Sequence, residues 1–190
     1  MTTTAIAGSV SGFTNPTSNR AQSNIQITLY NALNEIRLVT FIGSLTLFET
    51  AGLDISLSSD SKVVGKINSV LSVVANPDTL MSSVGSLVIN FPLYYENSGS
   101  DQMIEGINPS CSADDQLTIT NCIFNPASRQ LTISYENDSG LDFDGTKTFY
   151  IRSFKNPVTP EIKTGFSALT TDSLGYAIGE SGDVSLLGVI

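Results

Sequence analysis

The sequence contains no histidine, and only 14% of its 190 residues are charged. Without histidine, neither a Ser-His-Asp nor a Cys-His nucleophile arrangement can be assembled, which excludes most hydrolase chemistry. Two cysteines alone cannot close a zinc site. We therefore expect a protein that is not an enzyme, and we predict no cofactor and no metal site.

Basic residues and long apolar runs are also scarce. Nine Lys and Arg stand against eighteen Asp and Glu, giving a net charge of −9, and the basic residues are scattered along the chain. Nucleic-acid binding is not expected, because binding phosphates requires clustered Lys and Arg. No run approaches the roughly 18 to 20 apolar residues of a membrane helix, so no membrane span is predicted. The first residues have no basic region and no sustained apolar core, so as written they are not a signal peptide; a secreted protein would need a leader that this sequence lacks.

What the chain does have is alternating apolar and polar residues, with 41% apolar content. Runs of β-branched and aromatic residues are bounded by Gly, Pro, Asn and Asp, the pattern of strands joined by turns. The sequence therefore predicts an all-β fold. The predicted strands cover residues 5–13, 25–30, 36–48, 53–57, 63–74, 86–91, 117–124, 130–135, 148–154, 166–170 and 184–190.

Carboxylates offer the remaining candidates for site chemistry. Asp142 and Asp144 fall on one face of an extended segment, and Asp114 and Asp115 are adjacent. A glycosidase pair would need a cleft and a raised pKa, and the sequence shows neither. The motif beginning at Asp142 also resembles the start of a calcium loop, but its twelfth position, where an EF-hand needs Glu, is Ser153. A tight hairpin with an Asp-Gly turn accounts for the same residues.

The two cysteines, Cys111 and Cys122, lie in a stretch rich in Ser, Asp and Asn. A disulfide is favoured over two reduced thiols, and such a short ring would contribute roughly 2 to 3 kcal/mol. Bridges of this kind persist mainly outside the cytosol, which predicts an extracellular or cell-surface location. Asn137 begins the single acceptor sequence for N-glycosylation and lies in a predicted exposed turn, so a covalent glycan is expected there if the protein is secreted.

The sequence also repeats itself. Residues 10–16 return as residues 151–157, and residues 23–27 return as residues 164–168, both at a step of 141 residues. The echo continues with residues 31–36 against 172–178 if one inserted residue is allowed. A tandem array, or a subunit that joins its own copies, has this kind of sequence. We predict a division into residues 1–51, the end of a preceding module; 52–150, the main body; and 151–190, closing strands or the start of the next module.

Both terminal segments are short, apolar and uncharged. An isolated strand edge leaves backbone groups unpaired, and such edges can add a strand to a neighbouring copy. Alternatively, these strands close their own domain. The residues predicted to form a junction between subunits are Ile6, Val10, Phe13, Leu186, Val189 and Ile190.

Several motifs recur in an order that resembles a known family. They are Val64-Gly65, the Leu87-Val88-Ile89-Asn90-Phe91-Pro92 strand, the spaced pair Cys111 and Cys122, Leu131-Thr132-Ile133 and the closing segment that ends in Asn156-Pro157. Over about residues 53–178 the chain resembles the extracellular repeat modules of very large ciliate surface and secreted proteins. It departs from their pattern at Leu87, where a β-branched residue is usual. The resemblance implies immunoglobulin-like antiparallel β-sandwich modules joined into long extracellular structures, and it implies no catalytic residue.

Together these features predict a structural subunit or repeat of an extracellular filament or surface coat. Its partners would be copies of itself, joined head to tail by β-strand pairing. Two other functions are consistent with the sequence: a monomeric adhesin or carbohydrate-binding module, and a pilin of the donor-strand type. Aromatic side chains would line a sugar-binding face in the first of these, although such residues more often fill a core. The candidates are Tyr94, Tyr95, Phe143, Phe149 and Tyr150.

Overall fold

The fold was examined in a computed structural model, which describes residues 22–45, 50–92, 103–114, 116–158 and 162–186. This part of the chain is all-β and contains no helix, which confirms the predicted class. No helix long and apolar enough to cross a membrane occurs in it. Its strands are β1 (Gln22–Tyr30), β2 (Ile36–Leu45), β3 (Ala51–Ser59), β4 (Ser69–Pro77), β5 (Val84–Asn90), β6 (Cys111–Ala113), β7 (Leu117–Asn125), β8 (Gln130–Asn137), β9 (Lys147–Phe154), β10 (Lys163–Asp172) and β11 (Ala177–Leu186).

The strands form two sheets. β1 and β2 make a two-stranded antiparallel sheet, and the other nine strands, which we call the body, are arranged in the order β6-β9-β4-β3-β11-β10-β5-β8-β7. The prediction of antiparallel pairing was wrong at one position, because β3 and β11 run parallel. A parallel pair cannot be joined by a tight turn, and the chain between these two strands passes through the rest of the body.

The predicted immunoglobulin-like sandwich is not confirmed. The body is a single sheet that curls until its two edge strands, β6 and β7, approach each other as in a nearly closed barrel. Cys111 on β6 and Cys122 on β7 form a disulfide, with Cα atoms 6.0 Å apart. Beside the disulfide, the backbone N–H of Phe124 donates to the carbonyl oxygen of Ile107 at 2.8 Å. We call this junction of β6 and β7 the seam. The predicted disulfide thus joins the two ends of the sheet.

The inner face of the sheet encloses the core. Strands β4, β5 and β8 place every second side chain inward, as alternation predicts for a half-buried strand. Two aromatic groups occupy this interior. Phe91 lies edge-on to Phe124, with ring centroids 5.8 Å apart, and Tyr135 packs between Phe143 and Phe149, at 5.9 Å from each.

The three predicted divisions of the chain are distributed over these sheets. β1 and β2 fall within 1–51, and the strands from β3 to β8 fall almost entirely within 52–150. β10 and β11, from 151–190, lie inside the body, between β5 and β3. The last part of the chain therefore supplies central strands to the same sheet as the middle part. The module boundaries themselves stay a prediction.

Candidate assembly surfaces

The first candidate surface is the β1–β2 hairpin, because it is a structural copy of the β10–β11 hairpin. Gln22 pairs with Leu45 at the open end of the first hairpin. In the second, Lys163 pairs with Leu186. Each residue of the second pair is numbered 141 higher than its counterpart. The sequence repeat thus corresponds to the same supersecondary unit, present twice.

The turns of the two hairpins are built in the same way. The side-chain oxygen Oδ1 of Asn31 accepts bonds from the backbone N–H groups two and four positions further on, at 3.0 and 2.8 Å. Asp172 accepts the same two bonds, each at 2.9 Å. The third residue after each of these, Asn34 or Gly175, has a positive φ, 65° and 82° respectively. Gly and Asn are the residues that adopt this conformation most readily, which explains why they occupy this position.

Near the turn the registers agree as well, and they correct one detail of the sequence comparison; nearer the open end the β10–β11 pair has two further register shifts that the β1–β2 pair lacks. The ladder shifts by one residue after Leu29 in β1 and after Thr170 in β10, which are equivalent positions. Each shift is a β-bulge, in which one strand carries an extra residue. With the bulge in place Ile36 corresponds to Ala177, not to Ile178, and the inserted residue expected from the sequence is not needed.

The two hairpins differ in what covers them. β10 and β11 are each paired on their outer edge, with β5 and β3, whereas no other described strand pairs with β1 or β2. Ala168 and Gly179, on the core-facing side of the second hairpin, are buried, and their counterparts Ile27 and Leu38 are 42% and 50% exposed. The described part of the chain therefore leaves exposed an apolar face that is covered in the other copy. We call it the open hairpin face.

The first hairpin cannot simply replace the second in the body. A Cβ atom on Gly179 would lie 3.4 Å from Cβ of Leu53 and 3.1 Å from the Thr170 hydroxyl. Leu38, at the equivalent position, would force Leu53 aside. Ile178, which is buried, would be replaced by Arg37. Exchange of one hairpin for the other in the body is therefore disfavoured.

The residues predicted to form the subunit junction lie mostly outside the described residues. This applies to Ile6, Val10, Phe13, Val189 and Ile190. Leu186 is described: it ends β11, is 1% exposed, and packs in the core of its own body beside its parallel partner Leu57. The junction stays a prediction, with Leu186 placed at the end of a strand rather than on the surface.

Asn137, the predicted glycan acceptor, is buried at the end of β8. Its Nδ2 donates to the Leu141 carbonyl oxygen at 2.7 Å, and its Oδ1 accepts from the Ser139 backbone N–H at 3.3 Å. A glycan on Nδ2 would have to coexist with this packing. Glycosylation stays a prediction, and the intact mass of the chain secreted from glycosylating cells tests it.

The other candidate groups carry structural bonds. Asp114 accepts from the Thr148 backbone N–H and from the Tyr150 hydroxyl, both at 3.0 Å, which fastens β6 to β9 near the seam. The hydrogen bond to Asp114, together with its negative charge, raises the pKa of Tyr150. Asp142 accepts from the Ser83 backbone N–H at 2.8 Å. Among the described residues no group of three His, Cys, Asp or Glu could hold a metal ion.

The aromatic residues expected on a sugar-binding face are placed differently. Phe149 is fully buried and Phe143 nearly so, whereas Tyr94 and Tyr95 lie outside the described residues. No described cluster of exposed aromatic rings therefore arises from this set.

Sequence reasoning did not single out Asn156, although it lies in the repeated segment. This buried side chain accepts from the Ser59 hydroxyl at 2.6 Å and donates to the carbonyl oxygens of Ser61 and Val63 at 2.7 and 2.8 Å. It thereby fastens the loop between β3 and β4 to the end of β9. Its counterpart at the 141-residue step is Asn15, so the recurrence of Asn-Pro was the available signal.

Comparison of the chain with protein-family models and with curated proteins gives no match.

Proposed function

We propose that this chain is a structural subunit or repeat of an extracellular filament or surface coat, assembling head to tail by β-strand pairing. The observation that carries the proposal is the duplicated hairpin. One copy is built into the body with both outer edges paired, and the other presents an open hairpin face. A modular array needs this arrangement, because each unit can bury a hydrophobic face only against its neighbour.

Exposure of the open hairpin face to water is energetically unfavourable. Full burial of a Leu or Ile side chain stabilises a protein by roughly 1.5 to 3 kcal/mol, so covering the exposed half of Leu38 contributes roughly 1 kcal/mol. Among the described residues no strand pairs with the outer edge of β1 or β2, so a neighbouring strand would satisfy the backbone groups on those edges. Pairing and burial act together at this surface, which favours a β-sheet partner from another copy.

The disulfide at the seam supports the extracellular part of the proposal, since such bonds persist in oxidising compartments. The resemblance of residues 53–178 to repeated ciliate modules, and the immunoglobulin-like sandwich modules that it implies, belong to the same proposal. The adhesin alternative loses the support it had from Phe143 and Phe149, because both are in the core.

A matched pair of lysine variants tests the proposal. Leu38→Lys puts a charge on the open hairpin face, at the position whose counterpart is buried Gly179. Val39→Lys puts the same charge on the opposite face, where the counterpart is exposed Glu180. The full-length chain is purified and assembled, then measured by light scattering and electron microscopy. We expect filaments or concentration-dependent oligomers from the unaltered chain and from Val39→Lys, and loss of assembly for Leu38→Lys.

Two outcomes would contradict the proposal. The first is a monomer at every concentration for the unaltered chain with its disulfide intact. The second is equal assembly of both lysine variants, which would mean that the open hairpin face takes no part. Circular dichroism of both variants shows whether the β fold is kept.

A further inference from the structure

The body has an opening between its two parallel strands. At one end of the opening, Ala51 of β3 pairs with Gly179 of β11 and Gly52 pairs with Glu180. At the other end, Leu57 pairs with Leu186. No register pair lies between these points. The strands enclose a groove of 390 Å³, lined by residues 53–57 and 181–185.

The groove results from an irregularity in β11. Between its two points of contact with β3, β11 uses one residue more than β3 does. The pairing with β10 is irregular in the same stretch: Ala168 pairs with Ser181, Phe166 pairs with Val184 after one extra residue in β11, and Lys163 pairs with Leu186 after one extra residue in β10. Such a bulge bends the strand and disrupts its ladder. The bend is held by β10, since the backbone N–H of Ala168 donates to the Ser181 hydroxyl at 2.9 Å.

The walls and floor of the groove select an extended peptide. Its walls are the facing edges of β3 and β11, which have no register pair with each other over this stretch, although β3 also pairs with β4 and β11 with β10. Its floor includes Ile55, which is only partly buried against the core, between buried Leu53 and Leu57. An added strand would gain main-chain bonds from the walls and would cover Ile55 with an alternate side chain. The stretch of β3 that has no register pair with β11, residues 53–56, is about 13 Å long, enough for about four residues of such a strand.

The charges at the groove indicate which segment fits. Asp54 and Asp183 are exposed at its rim, and the body carries most of the acidic residues of the chain. The first acidic residue of the sequence is Glu35, so residues 1–34 hold no carboxylate side chain and one cation, Arg20. Within them, residues 4–10 are uncharged, and most of their side chains are small. Ile6 and Val10 are four positions apart, so in a strand they lie on the same face.

We propose that residues 4–10 of a second copy bind in this groove as an added strand. The inference rests on the proposed function and deepens it by naming the acceptor site for the terminal strand. Ile6 or Val10 contacts Ile55, and the small residues between them pass the narrow parts of the groove. About four residues of the segment fit between the two directly paired ends of the groove, where they would take up backbone groups that β3 and β11 leave facing each other.

Cross-linking between two different full-length variants tests the proposal. One variant carries Ala7→Cys in the inserted segment, and the other carries Ser56→Cys, an exposed residue at the groove. The control partner carries Leu141→Cys, which is in an exposed turn away from the groove and is 69% exposed. Mixed chains are treated with a short bismaleimide, which leaves the Cys111–Cys122 disulfide untouched. We expect a covalent heterodimer of Ala7→Cys with Ser56→Cys and none with Leu141→Cys.

A second variant tests the groove itself. Gly182 lines the groove, has no atom near its Cβ position and lacks a positive φ, so leucine fits there without backbone strain. Gly182→Leu narrows the groove, and combined with Ser56→Cys it should abolish the heterodimer.

The results separate the two proposals. Filaments in the electron microscope without the Ala7–Ser56 product would overturn the groove as acceptor and leave the proposed function standing. Absence of both assembly and product would overturn both. A chain that carries both Ala7→Cys and Ser56→Cys can also be cross-linked at high dilution. A cross-link within one chain, giving a product of monomer mass, would show that each groove binds residues 4–10 of its own chain, and it would overturn binding between copies. A heterodimer that persists unchanged with Gly182→Leu would also contradict the proposed site.

Discussion

Removal of the Cys111–Cys122 disulfide should weaken the body at one place, the seam. The bond closes a ring with a sequence separation of 11 residues. Loop-closure entropy for a ring of this size corresponds to about 3 kcal/mol. Without it, β6 is held to the body by three residues of pairing with β9 and by the bonds of Asp114 to Thr148 and Tyr150, and the seam keeps the Phe124–Ile107 hydrogen bond. The double variant Cys111→Ala/Cys122→Ala should therefore have a free energy of unfolding lower by about 3 kcal/mol.

Two measurements check this expectation. Urea unfolding gives the free energy, and an unchanged m-value shows that the surface exposed on unfolding is the same. Hydrogen exchange gives the location of the change, because a weakened seam opens locally before the whole sheet unfolds. We expect faster exchange in residues 103–114 and around Cys122 in the second half of β7, with the amides of β4, β5 and β8 still among the slowest.

The unaltered chain treated with a reductant is the matched control, and it should behave like the double variant. A loss below about 1 kcal/mol would refute the argument from loop closure. Uniform loss of protection across the sheet would refute the argument that β6 and β7 are the ends of the sheet.

Tyr135→Phe removes a buried hydroxyl that has no hydrogen-bond partner among the described residues, so the free energy of unfolding should rise by about 1 kcal/mol in urea; a fall would show that the hydroxyl has a partner. Burial, and to a lesser extent the charge of Asp142, raises the pKa of Tyr135 above the ordinary value of 10.0. Above pH 10 the native state therefore keeps a proton on Tyr135 that the unfolded chain loses, so the free energy of unfolding should fall by up to about 1.4 kcal/mol per pH unit. Tyr135→Phe should remove this contribution to the pH dependence, measured by unfolding at alkaline pH. Asn156→Ala leaves three hydrogen-bonding partners unsatisfied and should lower the free energy of unfolding in urea by about 3 kcal/mol. A decrease within about 0.5 kcal/mol, as for an ordinary surface substitution, would mean that the loop between β3 and β4 does not depend on Asn156. Gly85→Ala should cost about 3 kcal/mol or more in thermal unfolding, because a Cβ there would overlap the Thr171 carbonyl oxygen and meet the Tyr135 hydroxyl at 2.9 Å; an unchanged melting temperature would contradict this packing.

Alternation of apolar residues was sufficient to predict most strands of the body. β5, β7, β8 and β9 begin and end within two residues of the predicted positions. The prediction failed where another force decides. Residues 63–68 read as the start of a strand, but Gly65 and Asn68 have positive φ and the Asn156 amide bonds to the Val63 carbonyl oxygen. These contacts hold the segment as a loop, and apolar content alone does not reveal them.

β11 was predicted only from residue 184 onwards, although it begins at Ala177. Glycines at 179 and 182 and the charges of Glu180 and Asp183 interrupt its alternation. The strand is fixed by pairing with β10 and β3, so tertiary contacts override weak local preference. β6 was missed for a similar reason: it has only three residues and depends on β9 and the disulfide.

For the candidate surfaces, the repeat of 141 residues was visible in the sequence, and it led to the duplicated hairpin. The open hairpin face was not predictable, because exposure depends on which strands neighbour the hairpin. The groove was not predictable either, since it depends on one extra residue in β11 relative to β3. Bulges of this kind leave little trace in the apolar pattern.

The parallel pairing of β3 and β11 also determines how the body would respond to a pulling force. β3 is the first strand of the body and β11 the last, and they lie side by side pointing the same way. Tension between residues 51 and 186 therefore pulls the two strands along each other. It loads the backbone contacts between β3 and β11 together, instead of breaking them one after another. Forced unfolding is governed by the height of the unfolding barrier, and shear raises that barrier. A filament in which each body is pulled through residues 51 and 186 would therefore bear tension in shear.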